Sequence, residues 1–227
     1  MAKFCIKCGK PLEEGTECTC SSKDTLTQTK QAARGYVNLF LEIMKGLIKA
    51  PIDTIKKYGV EKNVGFSIIA MLFNSIIFGL FFYCLLKEGT SAFSYGFFIS
   101  RDIPFIKTLL LGTLFIGIGF VVTIFMIYIL AGSLLKAKAE LKVITSMVGI
   151  CSIIMTIALA ISIIIVFLSM KLAMFILFIA SLFYFVYLLQ GINEISKIDK
   201  NKLAYVFVPT ICVTLFVVVY IVPKILL

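Results

Sequence analysis

Five stretches of the chain are apolar almost without interruption, and charged or turn-forming residues bound each one. They run Val64–Leu86, about Leu109–Leu135, Val143–Leu168, Leu172–Leu189 and Ala204–Val222. A hydrocarbon core ~30 Å thick needs ~20 consecutive apolar residues in a helix, so the pattern predicts five transmembrane helices. The second is long enough to tilt. The fourth is short. Only Ser169-Met170-Lys171 separates the third from the fourth, which predicts an antiparallel helical hairpin. Between the first two spans, residues 87–107 carry Gly89, Gly96, Pro104, Phe93, Tyr95, Phe97 and Phe98. Such a loop suits the interface, where aromatic rings are favoured.

Ahead of the spans the pattern changes. In QAARGYVNLFLEIMKGLIK (31–49), Tyr36, Phe40, Ile43 and Leu47 recur at helical spacing, with Val37, Met44 and Ile48 beside them. Glu42, Lys45 and Lys49 fall elsewhere on the wheel. This predicts an amphipathic helix too polar to span, its apolar face turned to the membrane interface or to the protein's own bundle. Ala50-Pro51 ends it, because a residue before proline is pushed out of the helical region. Lys56, Lys57 and Lys62 follow in IDTIKKYGVEKN. With Lys45 and Lys49 they are candidates for contact with anionic headgroups, each contributing ~1 kcal/mol near the surface. Determination of topology alone is the simpler account of the same lysines.

The domain organisation is therefore a cysteine module at 1–20, a linker at 21–30 (SSKDTLTQTK, small and polar), an amphipathic helix and juxtamembrane segment at 31–63, and a membrane domain at 64–227. No apolar run at the N-terminus suits a signal peptide, so the first span is expected to direct insertion. The expected fold class is an α-helical membrane protein of five spans with a small zinc-ribbon module and an interfacial helix.

Composition agrees. The 227 residues are 60% hydrophobic, against ~45–50% in soluble domains, and mean hydropathy is +1.06. Net charge is +10, and its distribution orients the chain. Residues 1–63 hold eleven Lys and Arg; Lys136, Lys138 and Lys142 follow in the second loop, and Lys197, Lys200 and Lys202 in the fourth. Five spans put these regions on one side, against Lys87, Arg101, Lys107, Lys171 and Lys224 on the other. The excess of positive charge on cytoplasmic loops predicts a cytoplasmic N-terminus and an extracytoplasmic C-terminus of a cell-membrane protein.

FCIKCGKPLEEGTECTC (4–20) places Cys5, Cys8, Cys18 and Cys20 in a C-x2-C-x9-C-x-C pattern. Cytoplasmic thiols stay reduced, and four thiolates suit tetrahedral zinc with Zn–S near ~2.3 Å. Gly9 allows the unusual dihedrals of a knuckle turn. Phe4, Ile6 and Leu12 make too small a core to fold alone. Zinc binding, at ~10–16 kcal/mol in comparable peptides, supplies the difference, so the module is expected to be unfolded without metal. The first half, CIKCG, resembles a zinc-ribbon knuckle; the second is Cys18-Thr19-Cys20-Ser21 where a ribbon repeats C-x-x-C-G. That departure leaves a redox dithiol and another metal open. Residues 1–24 balance Lys3, Lys7, Lys10 and Lys23 against Glu13, Glu14, Glu17 and Asp24. A phosphate-binding surface is basic, so the expected partner is a protein or the membrane surface and not nucleic acid.

The chain contains no histidine, which excludes Ser–His hydrolases and HExxH metalloproteases. The five stretches contain no Asp, Glu, Lys or Arg, which argues against a proton relay. Asn74, Ser75, Thr113, Thr123, Ser152, Thr156, Ser162 and Thr214 are expected to bond between helices or to their own backbone. Gly112, Gly117, Gly119, Ala158 and Ser162 permit close helix approach. Cys84, Cys151 and Cys212 read as small buried apolar residues.

A cytoplasmic N-terminal region, an amphipathic helix, the proline element LIKAPIDTIKKY and five closely connected spans together resemble the Ypt-interacting-protein (Yip) family, in its prokaryotic form with an appended zinc ribbon. The resemblance covers roughly residues 35–222 and the ribbon at 4–20. It implies a membrane protein acting through protein contacts, with no catalytic residue. Three function classes follow: a non-catalytic membrane scaffold or regulator with a cytoplasmic zinc module, a component of a transport system, and a thiol redox sensor. A second copy of the chain is a further partner that stays open. Solid packing of the spans marks the first class, and a polar mid-membrane cavity marks the second.

Overall fold

A computed structural model describes residues 3–4, 11–12, 22–94, 104–134, 140–196 and 200–221. The chain divides into two compact units, Met1–Glu42 and Ile43–Leu227. In the first, β1 (Lys3–Phe4) pairs antiparallel with β2 (Pro11–Leu12), Lys3 opposite Leu12 and Phe4 opposite Pro11. A two-stranded ribbon has only edges, where proline's missing N–H is tolerated. Helix α1 (Ser22–Lys49) begins in this unit. It takes in residues 22–30, expected as an irregular linker. That stretch has no Gly or Pro to break a helix, and its Lys, Gln and Leu are good helix formers.

The second unit opens with the end of α1, where Ile43 and Leu47 are buried. Ala50 leaves the helical region at φ −147°, ψ 74°, and α2 (Pro51–Tyr58) starts on the proline. At the first helical position its missing N–H has no helical partner to lose. A single 3₁₀ turn (Glu61–Asn63) leads into α3 (Val64–Ser94). The start of α3 is the expected one. Its end lies past the expected Leu86, so the loop to the next helix is shorter than 87–107; residues 95–103 lie outside the described part. Then come α4 (Phe105–Ile129) with a π-helical turn at Leu130–Leu134, α5 (Leu141–Ile165), α6 (Met170–Ser196), and α7 (Lys200–Phe216) with a π-helical turn at Val217–Ile221.

Helices α3, α4, α5 and α6 are long and apolar enough to cross a membrane, and α7 is a shorter apolar helix with Pro209 inside it. The chain is thus a multi-pass membrane protein, helical in every described element of its second unit. Its outward faces say the same. Ile69, Leu72 and Phe73 on α3, and Phe175, Phe178 and Leu182 on α6, are exposed. In water such faces would drive association; in a bilayer they meet hydrocarbon.

Helix α5 is the centre. It packs along α3 on one side and α6 on the other, and Ile144, Val148, Ile150, Cys151 and Ile153 are buried in it. The expected α5–α6 hairpin is present. Its turn is fixed by Ser169, whose Oγ accepts the Leu172 N–H at 3.3 Å as an N-cap, and by the Ser162 hydroxyl, which donates to the Ala173 carbonyl at 3.3 Å.

Candidate functional site

Polar side chains inside the bundle bond first across the α3–α5 seam. Ser67 donates to the Ser146 carbonyl at 3.0 Å, and the two hydroxyls lie 3.3 Å apart. About two turns on, Asn74 donates to the Ser152 carbonyl at 3.2 Å and to Thr156 Oγ1 at 2.8 Å. The seam is narrow because of Gly149. A Cβ there would stand 2.6 Å from the Ser67 carbonyl oxygen. Helices α3 and α4 approach as closely where Gly112 meets Gly79, a Cβ on Gly112 falling 2.7 Å from the Gly79 Cα. Of the glycines expected to permit close approach, Gly112 does so; a Cβ on Gly117 would find only Ser75 Oγ, at 3.9 Å.

Further along the bundle the helices separate around a cavity of about 280 Å³. Asn74 and Phe78 of α3, Phe120 and Thr123 of α4, and Leu159 of α5 form one side of its lining; Ser181, Tyr184 and Phe185 of α6 and Thr210 and Thr214 of α7 form the rest. These positions fall in the middle of their helices: Asn74 is ten residues into α3, or ~15 Å along its axis, half of a ~30 Å core. The Asn74 amide and the Ser and Thr hydroxyls among them are already engaged. Thr123 donates to the Gly119 carbonyl at 2.8 Å and lies 3.2 Å from the Thr214 hydroxyl. Thr210 donates to the Val206 carbonyl at 2.7 Å and Ser181 to that of Phe178 at 2.7 Å. Among the described residues every buried side-chain nitrogen and oxygen has a hydrogen-bond partner. The walls left to the cavity are almost wholly apolar. This cavity is therefore not the polar chamber expected of a transporter, and it is a local interruption of the solid packing expected of a scaffold.

A second site lies at one end of the bundle. Lys56 pairs with Glu194 at 3.0 Å, and Lys142 pairs with Glu61. Ser146 donates to the Tyr58 carbonyl at 3.2 Å, and Tyr187 to the Leu47 carbonyl at 2.9 Å. Thr54 and Ile55 are buried with Ile43 and Leu47. Ile43, Leu47 and Ile55 thus turn to the protein's own bundle, whereas Ile48 and Ile52 are exposed. The N-terminal end of α5 and the C-terminal end of α6 share this end with α2. Lys45, Lys49, Lys57 and Lys62 are exposed, and the Lys57 ammonium stands 4.8 Å over the Tyr58 ring. Of the five candidate lipid-surface lysines, Lys56 is held to a carboxylate.

Cys84 and Cys151 are buried as expected, but Cys212 is exposed on α7. A thiol is apolar enough to face hydrocarbon, so a lone cysteine in a span need not point inward. Cys5, Cys8, Cys18 and Cys20 lie outside the described residues, and among the described residues no group of three or more His, Cys, Asp or Glu is placed to hold a metal. No family model matches the chain, and no curated protein or solved structure does either.

Proposed function

We propose that the protein is a non-catalytic membrane scaffold or regulator. Its N-terminal module binds one zinc ion through Cys5, Cys8, Cys18 and Cys20 and offers a cytoplasmic surface to a protein partner. The observation that carries this reading is the β1–β2 register. Antiparallel pairing of Phe4 with Pro11 brings together the two ends of the segment that holds Cys5 and Cys8. A zinc knuckle needs such a reversal, so that two sulfurs two residues apart face one ion. Four thiolates fit zinc by their chemistry, and the bound metal would supply folding energy that so small a core lacks.

The same reading takes α7 as a fifth span. With its π-helical turn it extends from Lys200 to Ile221, the length of a ~20-residue crossing. The basic end of the bundle is then cytoplasmic under the positive-inside rule. The likeness to the Yip family supports this reading in one element: α1 stops at Lys49 and α2 starts on Pro51, immediately before α3.

The test is elemental analysis of the purified full chain beside Cys8→Ser prepared identically. One zinc per chain, lost in the variant, is the expected result. A metal-free parent whose thiols oxidise reversibly would overturn it in favour of a redox sensor. Labelling of single exposed cysteines with an impermeant thiol reagent in whole cells checks the orientation.

A further inference from the structure

We infer that the cavity between α3, α4, α5, α6 and α7 is a lipid site, occupied by one acyl chain of a bilayer phospholipid. This goes beyond the scaffold reading and stands independently of the zinc module.

The almost wholly apolar walls disfavour a hydrated occupant. Water held in a cavity needs two to four polar partners. Here the Asn74 amide hydrogens go to Ser152 and Thr156, and the Thr123, Thr210 and Ser181 hydroxyls donate to backbone carbonyls or pair with Thr214. What faces inward is Phe78, Phe120, Phe185, Leu159, Leu188 and Ile211. The space, about 280 Å³, is nearly twice the ~150 Å³ apolar cavity that takes benzene. Left empty, its lining would lose contact atoms on one side.

The surroundings choose the occupant. The cavity lies at mid-helix in a bundle whose outer faces are apolar, so hydrocarbon is the medium at its mouth. The α6–α7 seam is the weakest part of the wall. Helix α7 packs mainly on α4 and only lightly on α6, where a Phe185–Phe207 ring contact at 6.4 Å is one of few links. Pro209 has no backbone N–H to give the Tyr205 carbonyl, which weakens α7 next to Thr210 on the cavity wall. A flexible, linear chain can thread this α6–α7 seam from the side.

The chain has no tryptophan, so Phe120→Trp gives a single reporter on the cavity wall. The full-length variant is placed in vesicles of phosphatidylcholine brominated in mid-chain, with unbrominated phosphatidylcholine as reference. Phe183→Trp, on the exposed face of α6, reports bulk lipid. Both tryptophans should be quenched. Adding Ser181→Phe, which fills the cavity, should abolish quenching of the Phe120→Trp reporter and leave that of Phe183→Trp unchanged. Ser181→Met serves the same purpose should the larger ring prevent insertion. An unquenched Phe120→Trp reporter, or quenching that the filling variants leave intact, would overturn the proposal. So would an unquenched reporter whose emission shifts when the protein is diluted into excess lipid, which would assign the space to a second copy.

Discussion

Tyr187, near the end of α6, donates its hydroxyl to the backbone carbonyl of Leu47 at 2.9 Å across 140 positions of sequence. Leu47 lies in the last turn of α1, where carbonyls have no partner within the helix. The side chain of one helix thus closes the open end of another, and it does so beside the buried Ile43, Leu47 and Ile55. This bond, the Ser146–Tyr58 bond and the Lys56–Glu194 pair fasten the juxtamembrane segment to the bundle.

Tyr187→Phe keeps the ring and removes the donor. The variant should lose ~1 kcal/mol, the usual net contribution of one hydrogen bond. Thermal unfolding of the purified protein in detergent measures it, and protease should cut more readily near Ala50. An unchanged melting curve would mean that water replaces the hydroxyl at the Leu47 carbonyl.

Asn74 makes two bonds to α5, yet its removal leaves Thr156 still donating to the Ser152 carbonyl at 3.2 Å. Asn74→Leu should therefore cost only ~1 kcal/mol, in the range of interhelical bonds in membranes. Asn74→Asp should cost more, ~3 kcal/mol, as for a carboxylate at a span centre. Leucine buries no polar group there, whereas the carboxylate would lie at the centre of a span. Thermal unfolding of the two variants in detergent, side by side, separates them.

Two glycines give opposite outcomes for the same substitution. A Cβ on Gly149 meets the Ser67 Cβ and carbonyl oxygen, which cannot move without α3; a Cβ on Gly65 meets nothing within 4 Å. Gly149→Ala should destabilise by ~1–3 kcal/mol through overpacking. Gly65→Ala, in the first turn of α3, should be neutral or stabilise by up to ~1 kcal/mol. Equal effects in a thermal-shift assay would show that the seam is not close-packed.

Hydrophobic runs made α3, α5 and the α5–α6 hairpin legible, because an uninterrupted apolar stretch has one cheap environment. The ends were less legible. Gly89 and the polar residues near it do not stop α3, since one glycine costs only ~1 kcal/mol in a helix already anchored by packing. Residues 22–30 are small and polar, and polarity alone does not forbid a helix. The stripe Ile43–Leu47 was visible as an amphipathic face, but periodicity cannot say what that face meets. Tyr187, which bonds the Leu47 carbonyl, lies far along the chain. The cavity was invisible for a related reason. Thr123 and Thr214 were expected to bond between helices or to their own backbone, and they do, but nothing in their spacing marks the apolar space beside them.

The Lys56–Glu194 pair offers the last test of how the juxtamembrane segment is held. Its side chains are 50% and 28% exposed, so solvent screens their attraction. Partly exposed pairs contribute ~0.2–1 kcal/mol and weaken as salt rises. Glu194→Lys should lower stability by somewhat more than that, because it also sets like charges against each other. Lys56→Glu combined with Glu194→Lys should recover most of the loss at low salt, and the recovery should shrink in high salt. If the double variant is no better than the single ones, the ion pair contributes nothing measurable. Attachment of α2 would then rest on buried Ile55 and the Ser146–Tyr58 bond, with α1 held beside it through Leu47 and the Tyr187 hydroxyl.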